Sequence, residues 1–334
     1  MTEKNFNMSE KESETSGAPA GNTEEQSLWD ERRFLRRVRW HSALRTILIA
    51  LGVMGVSFAL LFIWTRHLLN VQGNRIDSYY PDLVRYSTPN TIAIRGSWQD
   101  VGWLGQQREY YLVRMVGNRP VYVGTTRVEY QVWGGEMFWE PDHTVLQVGG
   151  REYLLPGAVP RLRFFHPAVT HDQLPRQFDR LKDIPAGKTV EMALSFNRLL
   201  TRKEMFALLP RGVEPLWGAI SAYSSEEIEK AGRKNPSAAY SLAHRLVGLP
   251  LGGFPDGEGA EFRFTEEKFP AELQRLSKIP SYSSQLLGRT ADYLQKNGIR
   301  YYGLVVCGKP ADLLKLQNNP MVSAAVLGAV ADME

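Results

Sequence analysis

Residues 46–64 read TILIALGVMGVSFALLFIW and contain no charged side chain. A helix of this length rises about 28 Å, close to the thickness of a bilayer's hydrocarbon core. The run is apolar on every face, whereas a core helix of a soluble domain usually has a polar stripe. A cleaved signal peptide would have a shorter apolar core near the N-terminus, followed by a cleavage site. Residues 46–65 are therefore predicted to form one uncleaved transmembrane helix.

The charges on the two sides of this run are unequal. Six arginines and no acid lie at positions 32–45, whereas Arg66 and Arg75 are the arginines that follow the run closely. Because cytoplasmic flanks are enriched in Lys and Arg, the N-terminus is predicted to be cytoplasmic and the C-terminal part extracytoplasmic. Trp40 and Trp64 lie near the two expected interfaces, as in an aromatic belt. We therefore expect a single-pass protein of the cell membrane.

The cytoplasmic tail divides into an acidic part and a basic part. Residues 1–26 are rich in Ser, Thr, Gly, Asn and Glu, so they are predicted to be disordered when free. Residues 27–45 have a helical pattern that starts at Ser27, a residue type that caps helices. An apolar edge runs between the arginines and supplies the candidate partner-binding residues: Trp29, Phe34, Leu35 and Val38. Two interpretations stay open, a surface helix on anionic lipid and a docking helix for a cytoplasmic protein.

The region after the membrane helix is predicted to have an α+β fold. Residues 66–165 combine a polar, aromatic juxtamembrane connector with a mostly β part, in which alternating apolar residues and glycine-containing turns indicate hairpins. Residues 166–334 mix strands and helices, and Thr201 with Glu204 has the spacing of a capping box. At an offset of 110 this part reads strand, helix, proline, strand twice, with four identities: Leu194/Leu304, Pro210/Pro320, Gly218/Gly328 and Ala219/Ala329. Internal duplication and chance both explain that agreement.

Two regions of the chain resemble the single-pass sigma-factor regulators, or anti-sigma factors, of Gram-positive bacteria. The first is RRFLRRVRWHSALRTILIALGVMG followed by DSYYPDLVRYSTPN, and the second includes LSFNRLLTRKEMFALLPRGVEPLW, YYGLVVCGKPADLLKLQ and SAAVLGAV. The resemblance implies N-terminal and C-terminal sigma factor regulator regions, with a cytoplasmic tail that holds an extracytoplasmic-function sigma factor. It also implies that the outer domain receives an envelope signal. Cys307 stands where the family is expected to have a small polar residue such as threonine.

The predicted partners are this sigma factor and the membrane. Gly55 and Ala59 form a small-xxx-small pair that lets membrane helices approach closely, as in a homodimer or with a second regulator subunit. Small residues also occur in membrane helices without such a contact. The alternative function is a membrane-anchored extracellular binding or cell-wall-associated protein that contacts no sigma factor.

Enzymatic chemistry is not favoured by any constellation in the sequence. Residues 187–189, GKT, lack the earlier glycine of a phosphate-binding loop, and no G-x-S-x-G nucleophile elbow occurs. His166, His171 and Asp172 have the chemistry of metal ligands, but ordinary surface histidines are the favoured interpretation. A net charge of +4 argues against direct contact with nucleic acid. We therefore predict no catalytic residue, no cofactor and no metal site.

Overall fold

The computed structural model describes residues 22–138, 145–148, 151–154, 158–171, 173–224, 226–229, 246–252, 265–279 and 284–333. The chain forms two compact units, Met1–Trp64 and Thr65–Glu334. The predicted acidic tail falls largely outside the described residues. The mixed α+β class predicted from the sequence is confirmed by the helices and strands of the structure.

A single helix, α1, runs without a break from Asn22 to Ser87 over 66 residues. It begins at Asn22, so the predicted start at Ser27 is wrong. The side chains at 46–64 are all exposed, and the helix is long and apolar enough to cross a membrane. The predicted juxtamembrane connector is the C-terminal part of this same helix.

The first sheet follows α1 directly. It contains β1 (Thr91–Val101), β2 (Gly105–Val116), β3 (Arg119–Gln131) and β4 (Glu136–Phe138), which pair antiparallel in that order. The predicted turn after Val116 is a tight turn, with Gly117 at a φ of 60° that favours glycine. The alternating segment from Arg127 is the second half of β3.

A small sheet comes next along the chain. Its strands are β5 (Val145–Val148), β6 (Arg151–Leu154) and β7 (Val159–Pro160), paired antiparallel in order. Val148 lies opposite Arg151, which confirms the hairpin predicted from the Gly-Gly pair between these strands. The two glycines themselves lie outside the described residues.

The second sheet belongs to the C-terminal part, after a 3-10 helix at Gln177–Asp183. Its strands pair in the order β10-β9-β11-β8-β12. The elements are β8 (Lys188–Leu200), α2 (Arg202–Ala207), β9 (Val213–Ile220), β10 (Gly248–Pro250), α3 (Phe269–Ser277), α4 (Ser284–Asn297), β11 (Tyr301–Gly308), α5 (Pro310–Leu314) and β12 (Val322–Asp332). The predicted capping box is confirmed, because Thr201 and Glu204 bond to each other's backbone amide.

The two strand–helix–strand segments of this sheet interleave. Strand β11 pairs antiparallel with both β8 and β9, and β8 pairs antiparallel with both β11 and β12. Each segment is therefore a split β-α-β unit whose two parallel strands enclose one strand of the other unit, the ferredoxin-like arrangement. Leu194 lies opposite Leu304, with Ser195 opposite Gly303 and Ala193 opposite Val305. This register is symmetric at an offset of 110, which supports the duplication. The pairing with the neighbouring strands departs from that symmetry: Gly218 lies opposite Leu304, but Ala325 rather than Gly328 lies opposite Leu194.

The second sheet is buried on both faces. One face packs Leu304 and Val306 against helical residues such as Met205, Phe269 and Leu313, and the other packs Val305 against Phe164 and Trp217. Six apolar side chains of the last β-α-β unit are buried: Leu304, Val306, Leu313, Leu316, Val326 and Leu327. Val326 belongs to the same cluster as Val305, Phe164 and Trp217, so these six side chains divide between the two faces of the sheet.

Candidate functional site

The predicted partner-binding residues lie on α1, and the helix phase decides which of them can act together. At about 100° per residue, Phe34, Leu35 and Val38 lie within an arc of about 100°. Trp29 lies about 180° from Val38, on the other side of the helix. All four side chains are exposed: Trp29 65%, Phe34 65%, Leu35 49% and Val38 48%. The helix therefore forms a three-residue apolar edge that does not include Trp29.

The arginines at positions 32–45, except Arg45, occupy the opposite side of this helix. Five of them fall in an arc of about 160° centred opposite Val38, on the same side as Trp29: Arg32, Arg33, Arg36, Arg37 and Arg39. The segment is therefore amphipathic, with one cationic face and one apolar edge. The helix also continues without a break from Arg45 into the apolar run. A helix lying flat on a membrane surface would need a bend at that junction.

The part of α1 within the second unit packs against the first sheet. Leu69, Gly73, Ile76 and Tyr80 follow one another at spacings of three or four residues, and all four are buried. The Tyr80 hydroxyl lies 2.9 Å from the Thr126 hydroxyl. Burial raises the pKa of Tyr80 to about 12, so its phenol stays protonated at neutral pH.

Two further contacts complete this packing. The Tyr110 hydroxyl donates to the Asp77 carboxylate at 2.6 Å. A side chain at Gly73 would collide with Tyr130 and Arg108. The helix is thus closely fitted to strands β2 and β3.

The C-terminal end of α1 also contacts the second sheet and its helices. The indole nitrogen of Trp217 on β9 donates to the backbone carbonyl of Arg85 at 2.9 Å. Arg275 of α3 lies 3.3 Å from the Asp82 carboxylate. The rings of Tyr86 and Phe269 are 5.2 Å apart, edge to face. The last turns of α1 therefore contact the second sheet and helix α3.

A buried polar cluster connects the end of α1 to both sheets. Asn90, in the turn after α1, donates to the Glu191 carboxylate at 2.7 Å and to the Met115 carbonyl at 2.9 Å. The other carboxylate oxygen of Glu191 accepts from the backbone amide of Ala329 at 3.1 Å and from Arg114 at 3.4 Å. The three side chains are 2% exposed or less. Charges so deeply buried are stable only when they are paired in this way.

This cluster was not predicted from the sequence, although the position of Glu191 gives one indication of it. Glu191 is a single carboxylate within an apolar strand, between Val190 and Met192, both fully buried. A charge at such a position needs a partner elsewhere in the fold. Asn90 has a φ of 47°, and asparagine tolerates that left-handed conformation better than most residues.

His166 is buried, so the favoured interpretation of an ordinary surface histidine is wrong for this residue. Its side chain is 2% exposed and its Nε2 lies 2.9 Å from the Ser221 hydroxyl. Burial, with a smaller effect of nearby His171, lowers the pKa of His166 to about 4. Within the described residues, His, Cys, Asp and Glu side chains form no group of three or more that could hold a metal. Asp172 lies outside those residues.

Cys307 lies beside a polar cavity of about 370 Å³ at the end of β11. Its sulfur accepts a hydrogen bond from the Gly117 amide at 3.1 Å, and its side chain is 2% exposed. Burial raises the pKa of the thiol to about 12, so it stays protonated. Cys307, where a small polar residue was expected, therefore accepts a hydrogen bond from the β2–β3 turn.

Two family models match the chain, over regions that coincide with these structural parts. The model described as "Sigma factor regulator N-terminal" matches residues 32–121, and "Sigma factor regulator C-terminal" matches residues 181–329. The chain belongs to the sigma factor regulator family. The N-terminal match contains the arginine segment, the apolar run, the packed part of α1 and the β1–β2 hairpin. The C-terminal match contains the two interleaved β-α-β units up to residue 329, three residues before the end of β12.

A curated relative agrees with this assignment. The chain is 25% identical to "Probable anti-sigma-M factor YhdL" of Bacillus subtilis (strain 168), over 252 residues that make up 74% of this chain and 66% of that protein. No solved structure matches the chain. The matched regions thus support the sigma factor regulator family, and the cell-wall-associated alternative is not favoured. This family is regulatory rather than typically enzymatic.

Proposed function

We propose that this sigma factor regulator is a membrane-bound anti-sigma factor that sequesters an extracytoplasmic-function sigma factor through residues 27–45. The proposal assigns residues 1–26 to an acidic tail, 46–65 to the membrane span, 66–165 to a connector and mostly β region, and 166–334 to the C-terminal regulator domain. The observation that carries it is the unbroken helix α1, which has an exposed apolar edge before the span and a packed segment after it.

In this proposal the N-terminus is cytoplasmic and the outer unit extracytoplasmic. The supporting observation is the excess of arginine before the apolar run. Because α1 continues straight into that run, residues 22–45 would extend into the cytoplasm by about 35 Å rather than lie on the lipid. This favours the docking interpretation of the apolar edge over the lipid-surface interpretation.

The sigma factor would bind the apolar edge as a groove binds an amphipathic helix. Phe34, Leu35 and Val38 would enter the groove, since burying each such side chain stabilises a complex by about 1.5–3 kcal/mol. Trp29 lies among the arginines, so it contributes only if the partner also reaches the cationic face. A neutral apolar groove with acidic margins would suit both faces.

The outer unit would transmit its signal through α1. The last turns of this helix contact Trp217, Arg275 and, through Asn90, Glu191. A rearrangement of the outer unit that changed these contacts would shift the balance between two positions of the helix. Release of the sigma factor would then follow from a movement of α1.

A sigma-dependent reporter tests this function in cells that carry the full chain. The double substitution Phe34→Ala and Leu35→Ala should raise reporter expression more than tenfold, because it removes two apolar anchors. Trp29→Ala is the matched control on the opposite face, and it should raise expression far less. Membrane fractionation shows whether each variant is still inserted. Unchanged expression with an inserted double variant would refute the tail as the sigma-binding element.

A further inference from the structure

The outer unit exposes aromatic side chains at one end of the first sheet. The turn between β1 and β2 lies beside the residues after β3, because the Val132 amide donates to the Leu104 carbonyl at 2.9 Å. Four apolar side chains are exposed there, and we call them the aromatic tip: Val101 36%, Trp103 73%, Leu104 45% and Trp133 71%. The stretches 101–104 and 132–135 contain no charged residue.

The lengths of α1 and β1 place this tip at the level of Arg66. From Arg66 to Ser87 the helix rises about 32 Å. After a short turn, β1 runs from Thr91 to Val101, a distance of about 33 Å for a strand. Because β1 leads back along the helix it follows, the hairpin ends where the outer part of α1 begins.

Side-chain contacts agree with this estimate. The Arg66 guanidinium forms an ion pair with the Asp100 carboxylate, next to the tip. The Gln106 amide, which is opposite Asp100 in the β1–β2 register, donates to the same carboxylate oxygen at 3.1 Å. Arg66 is the second residue after the apolar run 46–64. The tip is therefore adjacent to the residues that leave the predicted membrane span.

We propose that the aromatic tip binds the interfacial region of the outer membrane leaflet beside the span. Tryptophan favours this region because its ring is apolar and its indole N–H can bond to water or headgroups. Exposed leucine and valine would add apolar area below the headgroups. The proposal rests on the membrane span of the proposed function but not on binding of a sigma factor.

The consequence is a second attachment of the outer unit to the membrane. The span alone would leave that unit free to change its tilt about one point, whereas the tip would add a second point of contact at the end of the first sheet. The outer unit would then be sensitive to the packing of lipids around it. A patch of this kind is otherwise unfavourable, because soluble surfaces seldom expose clustered large apolar side chains.

Fluorescence quenching tests this attachment in the full chain. The protein is reconstituted into phosphatidylcholine–phosphatidylglycerol vesicles, with lipids brominated near the glycerol end of the acyl chain as one quencher and aqueous iodide as the other. Trp103→Phe and Trp133→Phe are each compared with the unchanged protein, and the difference gives the signal of the tryptophan removed. Trp98→Phe is the matched control, since Trp98 lies on β1 and its side chain is 54% exposed. It lies about 10 Å before the end of β1.

The expected result is a gradient along the hairpin. The signals of Trp103 and Trp133 should be quenched by brominated lipid and shielded from iodide, and their lipid-to-iodide quenching ratio should exceed that of Trp98 severalfold. All three variants keep an aromatic ring at an exposed position, and far-ultraviolet circular dichroism checks that they fold.

Two results would overturn the proposal. Quenching of Trp103 and Trp133 by iodide alone would mean that the tip stays in water. Shielding from iodide without quenching by brominated lipid would mean that a second copy of the chain covers it. Neither measurement involves a sigma factor, so a failed attachment and a failed anti-sigma function are distinguishable.

Discussion

Replacing Arg114 by Met removes the cationic partner of a fully buried carboxylate. In the structure Glu191 is 0% exposed and is bonded to Arg114, Asn90 and the Ala329 amide. Removing one partner of a buried ion pair costs about 3–5 kcal/mol, because the other charge is left uncompensated. Glu191 keeps its two shorter hydrogen bonds after the substitution. We therefore expect the lower end of that range, about 3 kcal/mol.

A second substitution separates the effect of charge from the effect of packing. In the double variant Arg114→Met with Glu191→Gln, no charge is buried, and the remaining cost is one unpaired amide group, about 1–3 kcal/mol. The double variant should therefore be more stable than Arg114→Met alone. Such a rescue cannot arise from a loss of side-chain volume at position 114.

An exposed ion pair provides the control. Lys188 and Asp332 are 2.5 Å apart, closer than Arg114 and Glu191, but their side chains are 34% and 73% exposed. Water screens such a pair, so Lys188→Met should cost at most about 1 kcal/mol. The shorter contact is thus expected to contribute less to stability than the longer one.

Thermal unfolding of the full chain in detergent micelles measures these differences. A loss of about 3 kcal/mol in a unit of this size lowers the melting temperature by roughly 6–12 °C. Buried Trp217 provides a fluorescence signal from the second sheet. A stabilising role of the buried pair would be contradicted if Arg114→Met melts no lower than Lys188→Met, or if the double variant is no more stable than the single one.

Two further predictions concern sidedness and pH. Gln295→Cys, at an exposed position of α4, should react with a membrane-impermeant maleimide on intact cells, whereas exposed Glu31→Cys should react only after lysis. Native Cys307 should stay unlabelled because it is buried and its thiol pKa is raised to about 12. The pKa of His166 is about 4 in the folded protein and near 6.5 in the unfolded chain. Its stabilising contribution, roughly 3 kcal/mol, should be complete above pH 6.5 and decline as the pH falls towards 4, because the unfolded state then binds more protons.

Each of these predictions has a direct check. Labelling in the reverse order would contradict a cytoplasmic N-terminus. For His166, melting curves between pH 4 and 7 are compared with those of His166→Gln, which cannot titrate in this range and should show a weaker dependence. Equal pH dependence of the two proteins would assign the effect to other groups, such as the neighbouring His171.

Local signals predicted much of the fold. The apolar run, the capping box at Thr201 and the hairpin around the Gly-Gly pair depend on residues close in sequence, and the structure contains all three. The helix between Thr65 and Ser87 was not predicted from the sequence, for two reasons. Its buried face repeats at helical spacing but includes tyrosines, and Pro81 lies within it. Packing against the rest of the fold stabilises this helix despite its proline.

Long-range features could not be read from the sequence. Asn90 and Glu191 are 101 positions apart, and only the fold brings them within hydrogen-bond distance. The apolar edge of α1 is a different case. The separation of Trp29 from Phe34, Leu35 and Val38 follows from helix geometry alone, so the sequence already contained that information. Whether these residues bind a sigma factor stays a prediction.

The interleaved second sheet determines when the outer unit can fold during synthesis. Strands β8 and β9 do not pair with each other, because β11 lies between them. A nascent chain synthesised as far as Asn297 contains α1, α2, α3 and α4 but lacks β11, the central strand of this sheet. Non-local pairings of this kind form late and slowly. Residues 27–45, the proposed docking segment, are therefore translated well before the strand that completes the second sheet, and an interval must pass before the same polypeptide acquires a folded second unit.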